Sequence, residues 1–224
     1  MKRLALIVGL CALLCAPALA AQTTTTGIPL DAPWKVTIYE LARKHFVHPA
    51  WGWQHSERNY DLALELAKGD GLRIDTDVLF AAAFLHDMAA FAPYQGKGEH
   101  GDVAALRSAP LLRAAGFPMR KFPEVQAAMR GHMYYSNPGN EPVAIVLHDA
   151  DSLDFLGAIG AARMLAITGR SSPSFEPTLR TLQSFVHDIP PRLITRTARR
   201  MGLERAAQLA RFIREVQSES FGLP

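Results

Sequence analysis

The chain has few cysteines, one long apolar run and little net charge, and these features exclude several classes of protein. Its 224 residues contain two cysteines, Cys11 and Cys15, both close to the N-terminus. The formal charge is +3, which is too small to predict nucleic-acid binding by itself. Hydrophobic residues make up 49% and charged residues 20%, so the composition excludes a disordered chain. The length suits one domain with a sizeable core.

The long apolar run of the chain lies at its N-terminus and predicts a secretory signal peptide. Lys2 and Arg3 precede an apolar stretch over residues 4–15, and small residues near Ala20 offer a cleavage site. The stretch is shorter than the roughly 20 residues that cross a bilayer. We therefore predict that residues 1–20 are removed from an exported protein, periplasmic or secreted, which keeps no membrane anchor. The mature chain would lose both cysteines, and with them any disulfide or thiolate metal site.

The rest of the chain is patterned for helices. Residues 21–33 are polar and predict a flexible lead-in. From residue 34 to residue 224, apolar residues recur at spacings of three and four, and alternating strand patterns are absent. Val78 to Met88 predicts one apolar helix, and residues 142–168 predict one long helix. The sequence therefore predicts an all-α protein with a single helical domain over residues 34–224.

Histidines beside acidic residues recur on successive predicted helices. His55 opens one helix, and the pair His86-Asp87 ends an apolar one. A histidine and a carboxylate on a buried face are costly unless a neutral partner or a cation satisfies them. His100 and His132 lie at the start and the end of the two helices that follow. Neutral imidazole and carboxylate are ligands for several divalent metal ions, which makes a metal site the leading interpretation.

Three carboxylates on a further apolar helix add to this set. Asp149, Asp151 and Asp154 lie within six residues, inside the stretch DADSLD. Asp149 and Asp151 cannot point the same way on a helix, whereas Asp154 lies three residues beyond Asp151. At most two of these carboxylates can therefore face one site.

The ordered set of His55, His86-Asp87 and Asp151 resembles the HD-domain superfamily of metal-dependent phosphohydrolases. The stretch DADSLDFLGAIGAAR at residues 149–163 resembles one bacterial branch of small HD hydrolases. HSERNYDLALELA, which begins at His55, and AAAFLHDMA around His86 resemble the same branch. The similarity extends over residues 34–170, and it implies an all-α bundle with a central metal site.

The resemblance also implies a set of ligands. By position, four residues would bind a divalent ion of manganese, nickel, cobalt, zinc, magnesium or iron: His55, His86, Asp87 and Asp151. Asp151 matches the family position better than Asp149, although the sequence leaves the choice open. His100 and His132 match positions that hold a second metal ion in some HD families, and contact with phosphate is the equal alternative.

Cationic residues near these motifs are candidates for binding phosphate. Arg58 lies one helical turn after His55 on the same face, and Lys97 lies in the glycine-rich loop before His100. A solvated loop lysine is an equally good interpretation of Lys97. Arg163 is expected on the helix surface or in a structural ion pair. Relatives often carry arginine after the last aspartate, where this chain has Ser152.

Two carboxylates and four aromatic residues complete the candidate site. Asp87 could take up a proton or bridge two ions, and Asp154 could accept a hydrogen bond from a metal-bound imidazole. Trp51, Trp53, Tyr134 and Tyr135 are candidates for stacking on a substrate ring, although such residues more often form pocket walls. The arginines of the last predicted helix are interpreted as a solvated face.

These observations predict an exported metal-dependent phosphohydrolase. Metal-activated water would cleave a small phosphate ester or a nucleotide. An HD-type di-iron oxygenase that uses His100 and His132 is one alternative. A nucleotide-binding module with little turnover, given Ser152, is another. A small phosphorylated molecule is the expected partner and a nucleic-acid duplex is not, whereas the sequence leaves the substrate, the metal and the oligomeric state open.

Overall fold

The computed structural model describes residues 22–168 and 174–222, so the predicted signal peptide at residues 1–20 lies outside the described residues. The described residues form nine α-helices and no β-strand, which confirms the all-α prediction. Among them, no helix is both long enough and apolar enough to cross a bilayer. In chain order the helices are α1 (Pro33–His45), α2 (Trp53–Asp70), α3 (Thr76–Leu85), α4 (His100–Ala115), α5 (Phe122–Gly131), α6 (Pro142–Asp154), α7 (Gly157–Thr168), α8 (Glu176–Asp188) and α9 (Arg196–Glu219).

Helix α3 is the central helix of the bundle. Every residue from Val78 to Leu85 is buried, and α3 packs against α1, α2, α5 and α6. A helix that is apolar on all sides is stable only when it is covered on all sides. Asp75 caps its N-terminus by accepting the backbone N–H groups of Asp77 and Val78. The chain that leaves the C-terminus of α3 therefore emerges inside the protein, not at its surface.

Four other helices surround the point where α3 ends. Helix α2 packs along α6, α5 packs against both α4 and α6, and short 3-10 turns connect several of the helices. The start of α2, the start of α4, the end of α5 and the second half of α6 thus approach one another. These are the places where the sequence carries its histidines and aspartates.

A turn divides the segment over which one long helix was predicted, residues 142–168, into two helices. Helix α6 ends at Asp154 and α7 begins at Gly157. Gly157 has a φ of +67°, a left-handed conformation that glycine adopts without strain. The prediction was wrong because apolar residues keep the same spacing in both helices, which conceals the turn. After the turn, Arg163 of α7 reaches the segment before α2, where its Nε donates to the carbonyl oxygen of Ala50.

The lead-in is packed against the domain where the structure describes it, in contrast to the flexible segment expected at residues 21–33. The backbone N–H of Thr25 donates to Glu57 Oε1 at 3.0 Å and lies 3.1 Å from the hydroxyl of Tyr39. Ile28 is buried in the core. Glu57 is itself buried in α2, so the polar lead-in supplies the hydrogen bonds that this carboxylate needs.

Candidate metal centre

Two buried histidines are oriented by carbonyl groups of the helices that they follow. His86 comes directly after α3, and its Nδ1–H donates to the carbonyl oxygen of Ala83 at 2.9 Å. His132 comes directly after α5, and its Nδ1–H donates to the carbonyl oxygen of Met129 at 2.6 Å. Because a carbonyl oxygen only accepts, each neutral ring keeps its lone pair on Nε2.

His55 is oriented by a carboxylate instead. Its Nδ1 lies 2.7 Å from Asp154 Oδ2. Arg58 donates to both oxygens of Asp154, from Nε at 3.0 Å and from Nη2 at 2.9 Å, and Arg163 Nη1 lies 3.2 Å from Oδ2. Burial would raise the pKa of Asp154, but His55 and the two guanidinium groups hold it well below its usual range. Asp154 is therefore ionised and accepts the Nδ1–H of His55.

The first cluster of ligand atoms joins α2 to the end of α3. His55 Nε2 and His86 Nε2 are 3.2 Å apart, and Asp87 Oδ2 lies 3.6 Å from the first and 3.4 Å from the second. One ligand atom from each of these three residues lies within 4.8 Å of the others. Asp151 Oδ1 lies 3.1 Å from His55 Nε2 and brings a second carboxylate to this cluster from α6.

The second cluster shares Asp87 with the first. His100 Nε2 and His132 Nε2 are 3.0 Å apart, and Asp87 Oδ1 lies 3.5 Å from the first and 3.7 Å from the second. These three residues also place ligand atoms within 4.8 Å of one another. The two oxygens of Asp87 therefore face two separate pairs of imidazoles.

These residues fit a divalent cation. The Nδ1–H bonds of His55 and His86 leave two lone pairs facing each other at 3.2 Å, which repel unless a proton or a metal ion lies between them. Asp151 Oδ2 is buried and has no hydrogen-bond partner among the described residues. Neutral imidazole and carboxylate are the ligands that divalent transition metals prefer in such sites.

The charges of the cluster shift the pKa values of its histidines in opposite directions. Burial would lower the pKa of His86, but the carboxylates of Asp87 and Asp151 raise it to about 9. Burial, together with the positive charge of His86, lowers the pKa of His132 to about 4. The same imidazoles hold the pKa of Asp87 well below its usual range. Without a metal ion, His86 therefore carries a proton at the position where a metal ion would bind.

A cavity of about 360 Å³ opens onto both clusters. Polar groups of Asp87, His100, Asp151 and Arg163 form part of its lining. The remaining lining is apolar and consists of Trp51, Ala90, Met133, Phe155, Met164 and Ile167.

The sequence profile of the HD-domain family matches residues 52–156. This segment contains both clusters and the carboxylate that orients His55. Over this segment the chain is similar to the HD-domain family. No curated protein matches this sequence.

Solved structures share the fold of this chain. A Lactobacillus plantarum protein has a TM-score of 0.65 at 20% identity, covering 89% of this chain and 99% of its own. Bacillus subtilis YpgQ, solved in complex with ADP, has a TM-score of 0.60 at 19% identity, covering 83% of this chain and 97% of its own. A predicted HD superfamily hydrolase from an uncultured Thermotogales bacterium has a TM-score of 0.58 at 25% identity, covering 83% and 90%.

The structure separates the two carboxylates between which the sequence did not decide. Asp149 accepts the backbone N–H groups of Ile194 at 2.9 Å and Thr195 at 2.7 Å, at the start of α9. Asp151, two residues later on the other side of α6, faces His55. Burial raises the pKa of Asp149, whereas the imidazoles around Asp151 lower the pKa of that carboxyl. Asp149 therefore belongs to the contact with α9 and not to the metal centre.

The two candidate phosphate-binding cations are placed differently from the prediction. Arg58 donates to Asp154 from Nε and Nη2, so this side chain supports His55, and it is not among the residues that line the cavity. Lys97 is exposed in its loop and is not among the residues that line the cavity. The local spacing that suggested both residues gave no information about which way each side chain turns.

The site contains one further residue that was not predicted. Asn59 is buried four residues after His55, and its Nδ2 lies 3.1 Å from His55 Nε2 and 3.3 Å from Asp151 Oδ1. The spacing of four on α2 was a usable signal. Of the two expectations for Arg163, the structure has the ion pair and not the helix surface: the side chain is buried, pairs with Asp154 and lines the cavity. Its approach depends on the turn between α6 and α7, which the sequence concealed.

Of the four aromatic candidates for stacking, only Trp51 is among the residues that line the cavity. Trp53 packs edge-on against Tyr39, with ring centroids 6.4 Å apart. Tyr134 packs against Phe155, and Tyr135 is exposed. The other three candidates are therefore parts of the fold or of its surface.

Proposed function

We propose that this HD domain is a metal-dependent phosphohydrolase that cleaves a small phosphate ester or a nucleotide. The observation that carries the proposal is the Asp87 carboxylate, which faces two imidazole pairs on the wall of one cavity. The neighbour from a Thermotogales bacterium is a predicted HD superfamily hydrolase, which supports hydrolysis as the reaction. The ADP in the YpgQ complex supports a phosphorylated ligand.

The proposed reaction adds the oxygen of one water molecule to phosphorus. The ester P–O bond breaks, and the leaving alcohol departs with a proton from that water. His55, His86, Asp87 and Asp151 would hold one divalent cation, and Asp87 would share a second with His100 and His132. Bound divalent cations supply Lewis-acid activation of water and neutralise charge on the phosphoryl oxygens.

The protein's own groups position and neutralise the substrate. Arg163 Nη2 lies 3.5 Å from His55 Nε2, so the guanidinium is beside the first cluster and can face a phosphoryl oxygen. Fixed cations at developing negative charge stabilise the transition state. Asp154 and Arg58 keep His55 in one orientation and one tautomer, which lets its Nε2 serve as a ligand.

The test is a screen of the mature protein against phosphate monoesters and diesters, after chelation and reloading with single metals. We expect phosphate release that requires a metal ion, and its abolition in His86→Ala and in Asp87→Ala with the helical circular dichroism signal retained. His187→Ala is the matched control, because His187-Asp188 is an exposed His-Asp pair on α8. Full turnover in His86→Ala would refute the proposed ligand set.

The six ligand residues also favour a second candidate, a di-iron oxygenase. His100 and His132 complete a pair of sites that two irons could occupy. Two iron atoms per chain together with oxygen consumption, and without phosphate release, would favour this activity over hydrolysis. Phosphate release with manganese, nickel or zinc would exclude it as the main activity.

We also propose that the protein is exported after cleavage behind Ala20. The support is the basic start and the apolar run of residues 4–15. Expression of the full chain in a bacterium followed by fractionation and intact mass measurement tests this. A periplasmic or secreted product that begins at residue 21 is expected, whereas a cytosolic product with an intact N-terminus would contradict it.

A further inference from the structure

The cavity beside the two clusters has an apolar wall that the proposed chemistry does not require. Six of its lining residues, Trp51, Ala90, Met133, Phe155, Met164 and Ile167, carry no charged group, and the indole N–H is their one side-chain hydrogen-bond donor. A wall of this composition binds the apolar surface of a ligand and has too few hydrogen-bonding groups to distinguish ligands by their polar groups. The volume of about 360 Å³ lies near the lower end of ligand pockets, which suits a group about as large as one ring or a short chain.

The cavity is also poor in positive charge. Among the described residues that line it, Arg163 is the one lysine or arginine. Arg58 is occupied by Asp154, and Lys97 lies outside the lining. Asp87 and Asp151 add negative charge to the same wall. The proposed divalent cations would neutralise one phosphoryl group beside the clusters, whereas further phosphates would meet no lysine or arginine of the lining other than Arg163.

Arg163 lies at the boundary between the polar and the apolar parts of the wall. Its Nη2 is 3.5 Å from His55 Nε2, and its guanidinium carbon lies 4.4 Å from the centre of the Phe155 ring. Its Nε donates to the carbonyl oxygen of Ala50 at 2.6 Å, which fixes the loop that carries Trp51. One side chain therefore sets both the position for a phosphoryl group and the position of the aromatic wall.

The indole ring of Trp51 is held in one orientation and presents a flat apolar surface. Its ring stacks on the imidazole of His48, with centroids 4.0 Å apart and planes 8° from parallel. His48 is fixed in turn, because its Nδ1 accepts the backbone N–H of Ala50 at 3.1 Å. A stacked aromatic ring of this kind binds a planar or aliphatic group at little cost in side-chain entropy.

We propose that the substrate is an ester of a single phosphoryl group with an apolar organic group, either aromatic or a short alkyl chain, which is bound against Trp51. This inference rests on the proposed phosphohydrolase function, and it specifies the substrate class. Water adds to phosphorus, the P–O bond to the organic group breaks, and the alcohol or phenol leaves with the proton. Pyrophosphate and nucleoside diphosphates are predicted to be poor substrates.

The kinetic test uses a series of alkyl phosphates from methyl to butyl with the metal-loaded mature protein. Alkyl leaving groups have similar intrinsic reactivity, so changes in kcat/KM report binding of the chain. We expect kcat/KM to rise by roughly fourfold for each added methylene, the factor that corresponds to burying it. Pyrophosphate and ADP should have a lower kcat/KM than butyl phosphate. Equal values for methyl and butyl phosphate, or a preference for pyrophosphate, would overturn the inference.

A binding test separates this inference from the proposed function. Methylphosphonate and phenylphosphonate have P–C bonds that are not hydrolysed, and their Kd values are measured by calorimetry. We expect phenylphosphonate to bind at least about tenfold tighter, and Trp51→Ala to remove that difference while Trp51→Phe largely keeps it. Tyr135→Ala, an exposed aromatic outside the lining, is the control.

The outcomes distinguish the two claims. Phosphonate selectivity without release of phosphate from any ester would contradict the proposed function and keep the inference about the wall. Phosphate release without selectivity for the apolar group would refute the inference and keep the function. Equal Kd values for the two phosphonates in the wild-type protein, or unchanged selectivity in Trp51→Ala, would refute the assignment of Trp51.

Discussion

At the scale of single residues, each buried histidine of the centre is held through the nitrogen that points away from the cluster. His86 and His132 use carbonyl oxygens of the preceding helical turn, whereas His55 uses the carboxylate of Asp154. The carbonyl contacts come with the helix and are insensitive to side-chain substitution. The orientation of His55, by contrast, depends on one side chain and the arginines around it.

Replacing that carboxylate should weaken metal binding. In Asp154→Asn, we expect metal affinity to fall by about 10–100-fold, because the tautomer of His55 is no longer enforced. The uncompensated buried charge of Arg163 should also lower stability. Calorimetric titration with metal, at a temperature where both proteins are folded, makes the measurement.

The matched control is Asp149→Asn, the same substitution on the same helix. Asp149 faces the start of α9, so this variant should lose stability and keep its metal affinity. Equal losses of metal affinity in the two variants would show that the effect of Asp154 is general destabilisation and not the orientation of His55.

The pKa of His86 predicts how metal binding depends on pH. In the folded protein without metal this pKa is about 9, so the ring is protonated at pH 7 and must lose that proton to bind a metal ion. Metal affinity should therefore rise by about tenfold per pH unit up to about pH 9 and then level off, with about one proton released from His86 at pH 7. Titrations in buffers of different ionisation enthalpy measure the released protons, and an affinity that is constant from pH 6 to pH 9 would contradict the assignment.

The sequence predicted the residue types of the centre better than their roles. The apolar helix around His86 and Asp87 indicated that this pair needs a partner, because burial of such groups is costly, and the resemblance to HD-domain proteins added His55 to the set. The choice between Asp149 and Asp151, and the turning of Arg58 toward Asp154, depend on how α6 faces α2 and α9. Contacts between residues about a hundred positions apart leave no local pattern, so they could not be predicted from this one sequence.

At the scale of elements, the fold places the end of one fully buried helix against the ends of several others. The helical periodicity predicted most of these helices, and the completely apolar α3 was evident from its residues alone. The turn at Gly157 was not, since apolar spacing is the same on both sides of it. Without that turn, α6 would continue and carry Arg163 away from the site. The turn at Gly157 that was not predicted therefore also explains why Arg163 was not predicted in the cavity wall.

The close approach of α4 and α5 holds the second pair of histidines together. A Cβ on Gly101 would lie 2.8 Å from the carbonyl oxygen of Met129 and 3.4 Å from His132 Cε1, so Gly101→Ala must push the two helices apart. We expect a loss of roughly 1–3 kcal/mol of stability. Because His100 and His132 then separate, the second metal ion should be lost or weakened at least about tenfold, while the first is kept. Titration with metal, read as stoichiometry and affinity, makes the measurement.

Gly69→Ala is the control for this variant. Its Cβ would meet Thr197 Oγ1 at 2.5 Å, a comparable clash between α2 and α9 at a distance from the histidines. It should lower stability without changing the number of bound metal ions. Two metal ions of unchanged affinity in Gly101→Ala would show that the second cluster does not depend on this helix contact.

At the scale of the whole molecule, the candidate metal centre joins five segments of the chain at the middle of the bundle. A ligand that binds only the folded state stabilises it, by about 2.7 kcal/mol at a free concentration 100 times its Kd. For a chain of this size, the melting temperature should rise by roughly 5–10 °C on addition of the bound metal and fall again with a chelator. Calorimetry of the purified protein checks this, and an equal rise in His86→Ala would mean that the metal binds elsewhere.

The most direct test of the account is anomalous diffraction from a crystal of the protein grown with Mn²⁺. The account predicts a peak among His55, His86, Asp87 and Asp151, and a second peak among Asp87, His100 and His132. A map of good quality with no peak at the first position, or with manganese bound only at other places on the molecule, would contradict it.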